Sequence, residues 1–215
     1  PRGRFFLLMR SQQLLILCCL LTMGVYAQKR VVKSLVNPRT TWVHIDSEQC
    51  YQLQLRNSDS NEVSVEAKLD GEYSEDLLIS MEEDGNTLVI TPGFRPNFKH
   101  PNDKLSAHKV VSVSLVVAIP KYTNFRIWGT HTEVSAEGVF TKGKISLDDG
   151  RCNVQAEAEE LEVITQSGDI LYSSSGAILK AESKFGTVGG DTIAHGNGMV
   201  TLQTISGDIQ LVQVE

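Results

Sequence analysis

Glycine recurs through the second half of this chain at Gly129, Gly150, Gly168, Gly186 and Gly207, at intervals of 18 or 21 residues. Around the last four, a short alternating run leads into the glycine and another leads out. A period near 20 residues is the mark of a chain that winds into stacked turns, each burying its apolar side chains against the next. The runs before the corner are Ile145-Ser-Leu147, Leu161-Glu-Val163, Leu179-Lys-Ala181 and Val200-Thr-Leu202. Those after it are Cys152-Asn-Val154, Ile170-Leu-Tyr172, Val188 and Ile209-Gln-Leu211. Apolar residues alternate with Ser, Glu, Lys, Thr, Asn and Gln, the period-two pattern of a strand with one buried face.

The reading is therefore all-β: a parallel β-solenoid over 123–215, with 18–21 residues per coil. Helix is excluded by frequent glycine and β-branched residues and by the lack of an i, i+3, i+4 apolar stripe. The corners read Asp149-Gly150, Ser167-Gly168, Phe185-Gly186 and Ser206-Gly207. Glycine there is expected to supply positive φ. Thr165, Ser183 and Thr204 hold one offset and are expected to stack as a ladder of hydroxyls.

Residues 28–122 alternate without visible period and are expected to cap or extend the solenoid's first edge. Candidate strands are Thr41–Ile45, Tyr51–Leu55, Val63–Leu69, Leu77–Met81, Thr87–Ile90 and Val110–Ile119. Glu83-Asp-Gly-Asn86 predicts a hairpin between two of them.

From Met9, the apparent start codon, a short basic stretch leads into Leu14–Val25 and a small-residue site ending at Ala27. Residues 1–27 thus read as a cleaved signal peptide, too short in its apolar part to span a bilayer comfortably. This predicts an exported protein in which the membrane is met only through an uncleaved signal segment. The whole chain carries a formal charge of −6, and cleavage would remove only arginines. Nucleic acid is a poor partner for such a surface. Cys50 and Cys152 survive processing; a disulfide is open to them, as is the state of buried free thiols.

The segment Thr91–Lys104 breaks the pattern with three prolines. Its Phe94, Arg95, Phe98, Lys99 and His100 are the candidate ligand-binding loop, for stacking on a sugar or holding an anion; the alternative is a lid packed on the core. Gln155, Glu157, Lys180, Glu182, Thr201 and Gln203 should line an outward sheet face suited to a repeating polymer.

The Ser-Gly-Asp-Ile repeats, the signal peptide and the run Asn102–Lys109 followed by a hydrophobic strand and Ile119-Pro120 resemble the bacterial putative adhesin family of β-solenoid domains, head GIN domain-like, found in secreted Bacteroidetes proteins. The resemblance implies an all-β, right-handed parallel β-solenoid in the cell envelope, periplasmic or on the surface of a Gram-negative bacterium, and brings no catalytic residues.

On the residues themselves, Asp149, Asp169 and Asp208 sit at turns, and Thr187 interrupts them in chain order. No nucleophile elbow or metal spacing is present. The expectation is a non-enzyme with no cofactor, an adhesin-like binding or assembly module for a polysaccharide or envelope protein. The alternative is a carbohydrate-active β-solenoid enzyme. Because the sequence runs to Glu215 directly after a strand, the C-terminal edge is expected to pair with another copy or a partner.

Overall fold

The computed structural model describes residues 28–35, 37, 39–70, 77–94 and 112–215. They form one mixed sheet of 15 strands and, among the described residues, no helix. In chain order these are β1 (Gln28–Leu35), β2 (Trp42–Asp46), β3 (Cys50–Ser58), β4 (Glu62–Asp70), β5 (Leu77–Asp84), β6 (Thr87–Phe94), β7 (Ser112–Pro120) and β8 (Asn124–Gly129). They continue as β9 (Glu133–Leu147), β10 (Cys152–Thr165), β11 (Ile170–Ser174), β12 (Ile178–Ser183), β13 (Val188–Gly190), β14 (Met199–Thr204) and β15 (Ile209–Gln213).

β9 and β10 are long enough to bend and serve two stacks. The back stack runs β1-β4-β7-β3-β9-β10-β11-β15-β13, and the front stack β5-β6-β2-β8-β9-β10-β14-β12. Pairing is parallel except for β1 with β4, β4 with β7 and β5 with β6, so the sheet is mixed rather than parallel throughout. The predicted hairpin is β5–β6, with Gly85 at φ 62° in its two-residue turn. β2 and β3 join the parallel ladders through β8 and β9, so the stacks continue across position 122.

Alternation is what makes the core. Val43, Ile45, Leu53, Phe125, Ile127, Val134, Ile145, Cys152, Val163, Ile170, Leu202 and Ile209 are each no more than 1% exposed and form one apolar cluster. Each removes a largely apolar side chain from water, worth about 1.5–3 kcal/mol. Cys50 and Cys152 are both free. They lie on β3 and β10 with β9 between them, and the β3 residue in row with Cys152 is Leu53, three positions beyond Cys50, so they stand more than two strand spacings, roughly 9.6 Å, apart. That is beyond the reach of a disulfide.

The order of the last strands departs from the chain. β11 lies against β10, but β14 and β15, which come last, insert inside β12 and β13. The corner glycines therefore stack as Gly150, Gly168, Gly207, Gly186. The two near-identical motifs Thr165–Ile170 and Thr204–Ile209 become direct neighbours. The strand predicted to be the open C-terminal edge, β15, is flanked on both sides; β12 and β13 are the edge strands at that end.

The corner glycines also differ from expectation in their reason. Among the described glycines, positive φ occurs only at Gly85, Gly138 and Gly190. At the corners the need is closeness. A Cβ on Gly168 would stand 1.9 Å from the Gly150 carbonyl oxygen, one on Gly207 2.3 Å from that of Gly168, and one on Gly186 2.2 Å from that of Gly207. Successive corners pack backbone on backbone. The hydroxyl ladder is present and tied to them. Thr165 Oγ1 donates to Gly168 O at 2.5 Å, and Ser183 Oγ to Gly207 O at 2.7 Å. Thr204 Oγ1 accepts from Gly207 N at 3.1 Å.

Candidate ligand-binding face

The outward side of the front stack collects an aromatic and cationic cluster. On β2 the apolar phase of the alternation, Val43 and Ile45, faces the core, and Trp42, His44 and Asp46 face out. On β8, Phe125 and Ile127 face the core, which turns Asn124, Arg126 and Trp128 outward. The parallel register sets Trp42 beside Asn124, His44 beside Arg126 and Asp46 beside Trp128.

His44 sits between the two indoles. Its ring centre is 6.1 Å from Trp42 at an interplanar angle of 69°, and 6.1 Å from Trp128 at 84°, edge-to-face in both cases. The Arg126 guanidinium lies over Trp42, 5.4 Å from the ring centre. Partial burial first, and the Arg126 charge second, hold the His44 imidazole below its ordinary pKa. The ring is accordingly neutral at neutral pH, a donor and an acceptor at once. Trp128 keeps 37% of its surface exposed.

From Trp128 the face runs into an open groove of about 450 Å³. Its floor includes Ser146 and Ile164, and Glu48, Asp148 and Gln166 supply polar groups. Gln166 Nε2 donates to Asp148 Oδ1 at 2.6 Å, which fixes that pair. Farther along, the same face closes into ion pairs, Lys142 with Glu160 at 2.7 Å and Lys144 with Glu162 at 2.5 Å. Aromatic area with a few fixed polar groups is the composition of a site that holds a small polar ligand by one apolar face. A second hollow of about 360 Å³ opens at the far bend of β10, over Phe140 and Tyr172.

The sequence-based candidates fare unevenly. Phe94 closes the backbone of β6, and Arg95, Phe98, Lys99 and His100 lie outside the described residues. Lys180 with Thr201, and Glu182 with Gln203, are rungs of the outward front face, whereas Gln155 and Glu157 belong to β10's other half. The acidic turns are engaged in holding backbone. Asp169 Oδ1 accepts from Asp208 N at 3.0 Å, and Asp208 Oδ1 accepts from Thr187 N at 2.7 Å and Thr187 Oγ1 at 2.9 Å. In space Asp169 and Asp208 are adjacent, and Thr187 ends their column rather than interrupting it. Among the described residues, no three His, Cys, Asp or Glu side chains are grouped to hold a metal ion.

Trp42, Arg126 and Trp128 were missed from sequence. The signal available was phase: tryptophan and histidine occupy the polar positions of the run Trp42-Val-His-Ile45, where a solvated strand would carry Ser, Lys or Glu.

No family model and no curated protein matches this sequence. Solved structures do. A putative cell adhesion protein from Clostridium sporogenes aligns over 87% of this chain and 100% of its own, with a TM-score of 0.61 and 13% identity. A putative adhesin from Parabacteroides merdae aligns over 86% of this chain and 81% of its own, at a TM-score of 0.43 and 13% identity. A putative adhesin from Bacteroides fragilis covers 89% of this chain and 100% of its own, at a TM-score of 0.38 and 11% identity. At such identities the likeness is one of fold, and of these three the Clostridium structure carries it.

Proposed function

We propose that this chain is an exported, non-enzymatic binding module of the adhesin-like kind, and that its ligand is a carbohydrate held on the Trp42–His44–Trp128 face. The observation that carries the reading is the pair of indoles flanking a neutral histidine on an outward sheet surface. Trp128 is open to solvent, and Arg126 is stacked on Trp42. A pyranose ring has one apolar face of C–H groups and an edge of hydroxyls. The indoles match the first; His44, Arg126 and the groove's Glu48 and Gln166 match the second. The set lacks a paired acid and base around a reacting position, which a hydrolase or lyase would require. In this reading the repeats are coils of a right-handed solenoid and residues 1–27 direct export to the periplasm or cell surface.

The chain contains two tryptophans, and both are in this site, so tryptophan emission, excited where tyrosine does not absorb, reports on it alone. Titrating the protein with soluble envelope polysaccharides should shift or quench the emission saturably. Trp128→Ala and Trp42→Ala should each weaken binding by about 1–3 kcal/mol, the scale of losing one aromatic anchor. An unchanged spectrum across the panel removes the reading. Release of reducing sugar into the supernatant would replace it with an enzymatic one.

A further inference from the structure

We propose that the open end of the two stacks, formed by β12 and β13, is an interface for a second copy of this chain. The two copies are related by a two-fold axis along the strand direction, so that β12 of each pairs antiparallel with β13 of the other.

The interior is uncovered at this end. In the row Val134, Cys152, Ile170, Ile209, Val188, the first four are 0%, 0%, 1% and 1% exposed, and Val188 is 44% exposed although it points the same way. Leu179 and Ala181 face the core and are only half-buried, beside Leu202 at 0%. Phe185, on the outermost corner, is 73% exposed. Repeat folds cover such an end, or they associate through it.

The backbone groups left over have matching phase. Ile178 N donates to Gly198 O and Lys184 N to Thr204 O, so the even residues of β12 face β14. The N–H and C=O groups of Leu179, Ala181 and Ser183 therefore point to the open side. On β13, Thr187 O accepts from Ile209 N, and Asp191 N donates to Leu211 O. The groups of Val188 and Gly190 thus point to the open side. On β12 and at Val188 of β13 the residues with free backbone groups are those with core-facing side chains, which is what a continuing antiparallel ladder requires; Gly190 has no side chain and takes φ 106°.

The shape of the end selects a second copy as the occupant. Beyond β10 the back stack has three more strands, β11, β15 and β13, and the front stack two, β14 and β12. The end is a step one strand high. A two-fold axis along the strands exchanges front and back, so the high side of one copy fills the low side of the other. With Ser183 opposite Val188 of the second copy, Ala181 meets Gly190 and the Lys180 ammonium meets the Asp191 carboxylate, twice by symmetry. Both side chains are exposed in the single chain. The axis also brings the two Phe185 corners to the same end.

Sedimentation equilibrium of the purified protein over roughly 1–100 µM, the range of a modest interface, tests this. A concentration-dependent dimer is expected. Lys180→Glu should raise its dissociation constant roughly tenfold or more, since it sets two carboxylates together twice. Adding Asp191→Lys to that variant should restore it, which loss of folding could not do. Ala181→Pro removes an N–H from the open side only, and should abolish the dimer while the melting temperature of the dilute protein holds. Monomer at every concentration overturns the proposal. So do open-ended polymers, which would mean head-to-tail stacking onto β1 and β5, and so does a dimer indifferent to all three variants.

Discussion

The backbone N–H of Asp208 donates to the carboxylate of Asp169 at 3.0 Å, across 39 residues of chain. Consecutive turns would instead have set Asp169 beside Thr187. The bond exists because the last two strands of each stack are inserted in reverse order, which makes neighbours of the two Ser-Gly-Asp-Ile motifs. The carboxylates that looked like separate turn residues form a column, each holding the backbone of the next.

That column is sensitive to acid. Hydrogen bonds from the Thr187 backbone and hydroxyl hold Asp208 below its ordinary pKa. A carboxyl depressed in the fold stabilises it above the unfolded value near 3.8 and loses this as pH falls through the folded value. Melting temperature against pH should therefore drop less steeply below pH 4 in Asp208→Asn than in the native chain. Parallel curves would show that the column adds no stability.

The corner glycines separate closeness from flexibility. Gly168→Ala places a methyl 1.9 Å from the Gly150 carbonyl oxygen, with rigid backbone on the other side. It should cost roughly 2–4 kcal/mol in denaturant unfolding. Gly189→Ala, where nothing lies within 4 Å and φ is ordinary, should stay within about 0.5 kcal/mol. Equal effects would mean that glycine serves the corners in some other way.

Burial pushes both Cys50 and Cys152 up to about 12. At pH 8 that leaves roughly one thiol in 10⁴ ionised, besides its lack of access. Peptide mapping after a short exposure to a thiol reagent should find both unmodified in the native protein and both modified in denaturant. Rapid labelling of Cys152 without denaturant would contradict the packing described.

His44 predicts a second pH window. Its folded pKa lies below the ordinary 6.5, so the fold binds the proton less readily than the unfolded chain does. Stability should be flat in pH above 6.5 on this account, fall as pH drops from 6.5 toward the folded value, and level off below it. Tryptophan emission should change over the lower part of that window, because the imidazolium forms between the two indoles. In His44→Gln both effects should vanish while the remaining acid sensitivity persists.

Thr132 tests the join between the early strands and the repeats. Its buried hydroxyl lies 2.6 Å from Ser47 O and 2.9 Å from Cys50 O. Thr132→Val keeps the shape and takes the hydroxyl away from both carbonyls, of which Ser47 O keeps the Cys50 N–H. The expected loss is about 1–3 kcal/mol in chemical denaturation. A neutral result would mean that water replaces the hydroxyl.

Strand, inward face and corner were all legible in the chain itself, because each is decided within a few residues. Alternation at Ile145–Leu147 or Ile209–Leu211 sets which side is buried, and Ser-Gly-Asp marks where the chain turns. The 5-residue run at Trp42 was equally legible as a strand, but the rung of its His44 is Arg126, on a strand 82 positions farther along the chain (126 − 44). No local pattern announces such a partner. The order of the final strands was hidden for a related reason. Every corner offers the same hydrogen bonds and the same apolar rows, so chain order and stacking order look alike from sequence. Only the tertiary structure decides between them: packing one carbonyl against the next glycine, and Asp169 against Asp208, favours the order Gly150, Gly168, Gly207, Gly186. The same long-range choice sets two indoles around one histidine and leaves a stepped end on the stack.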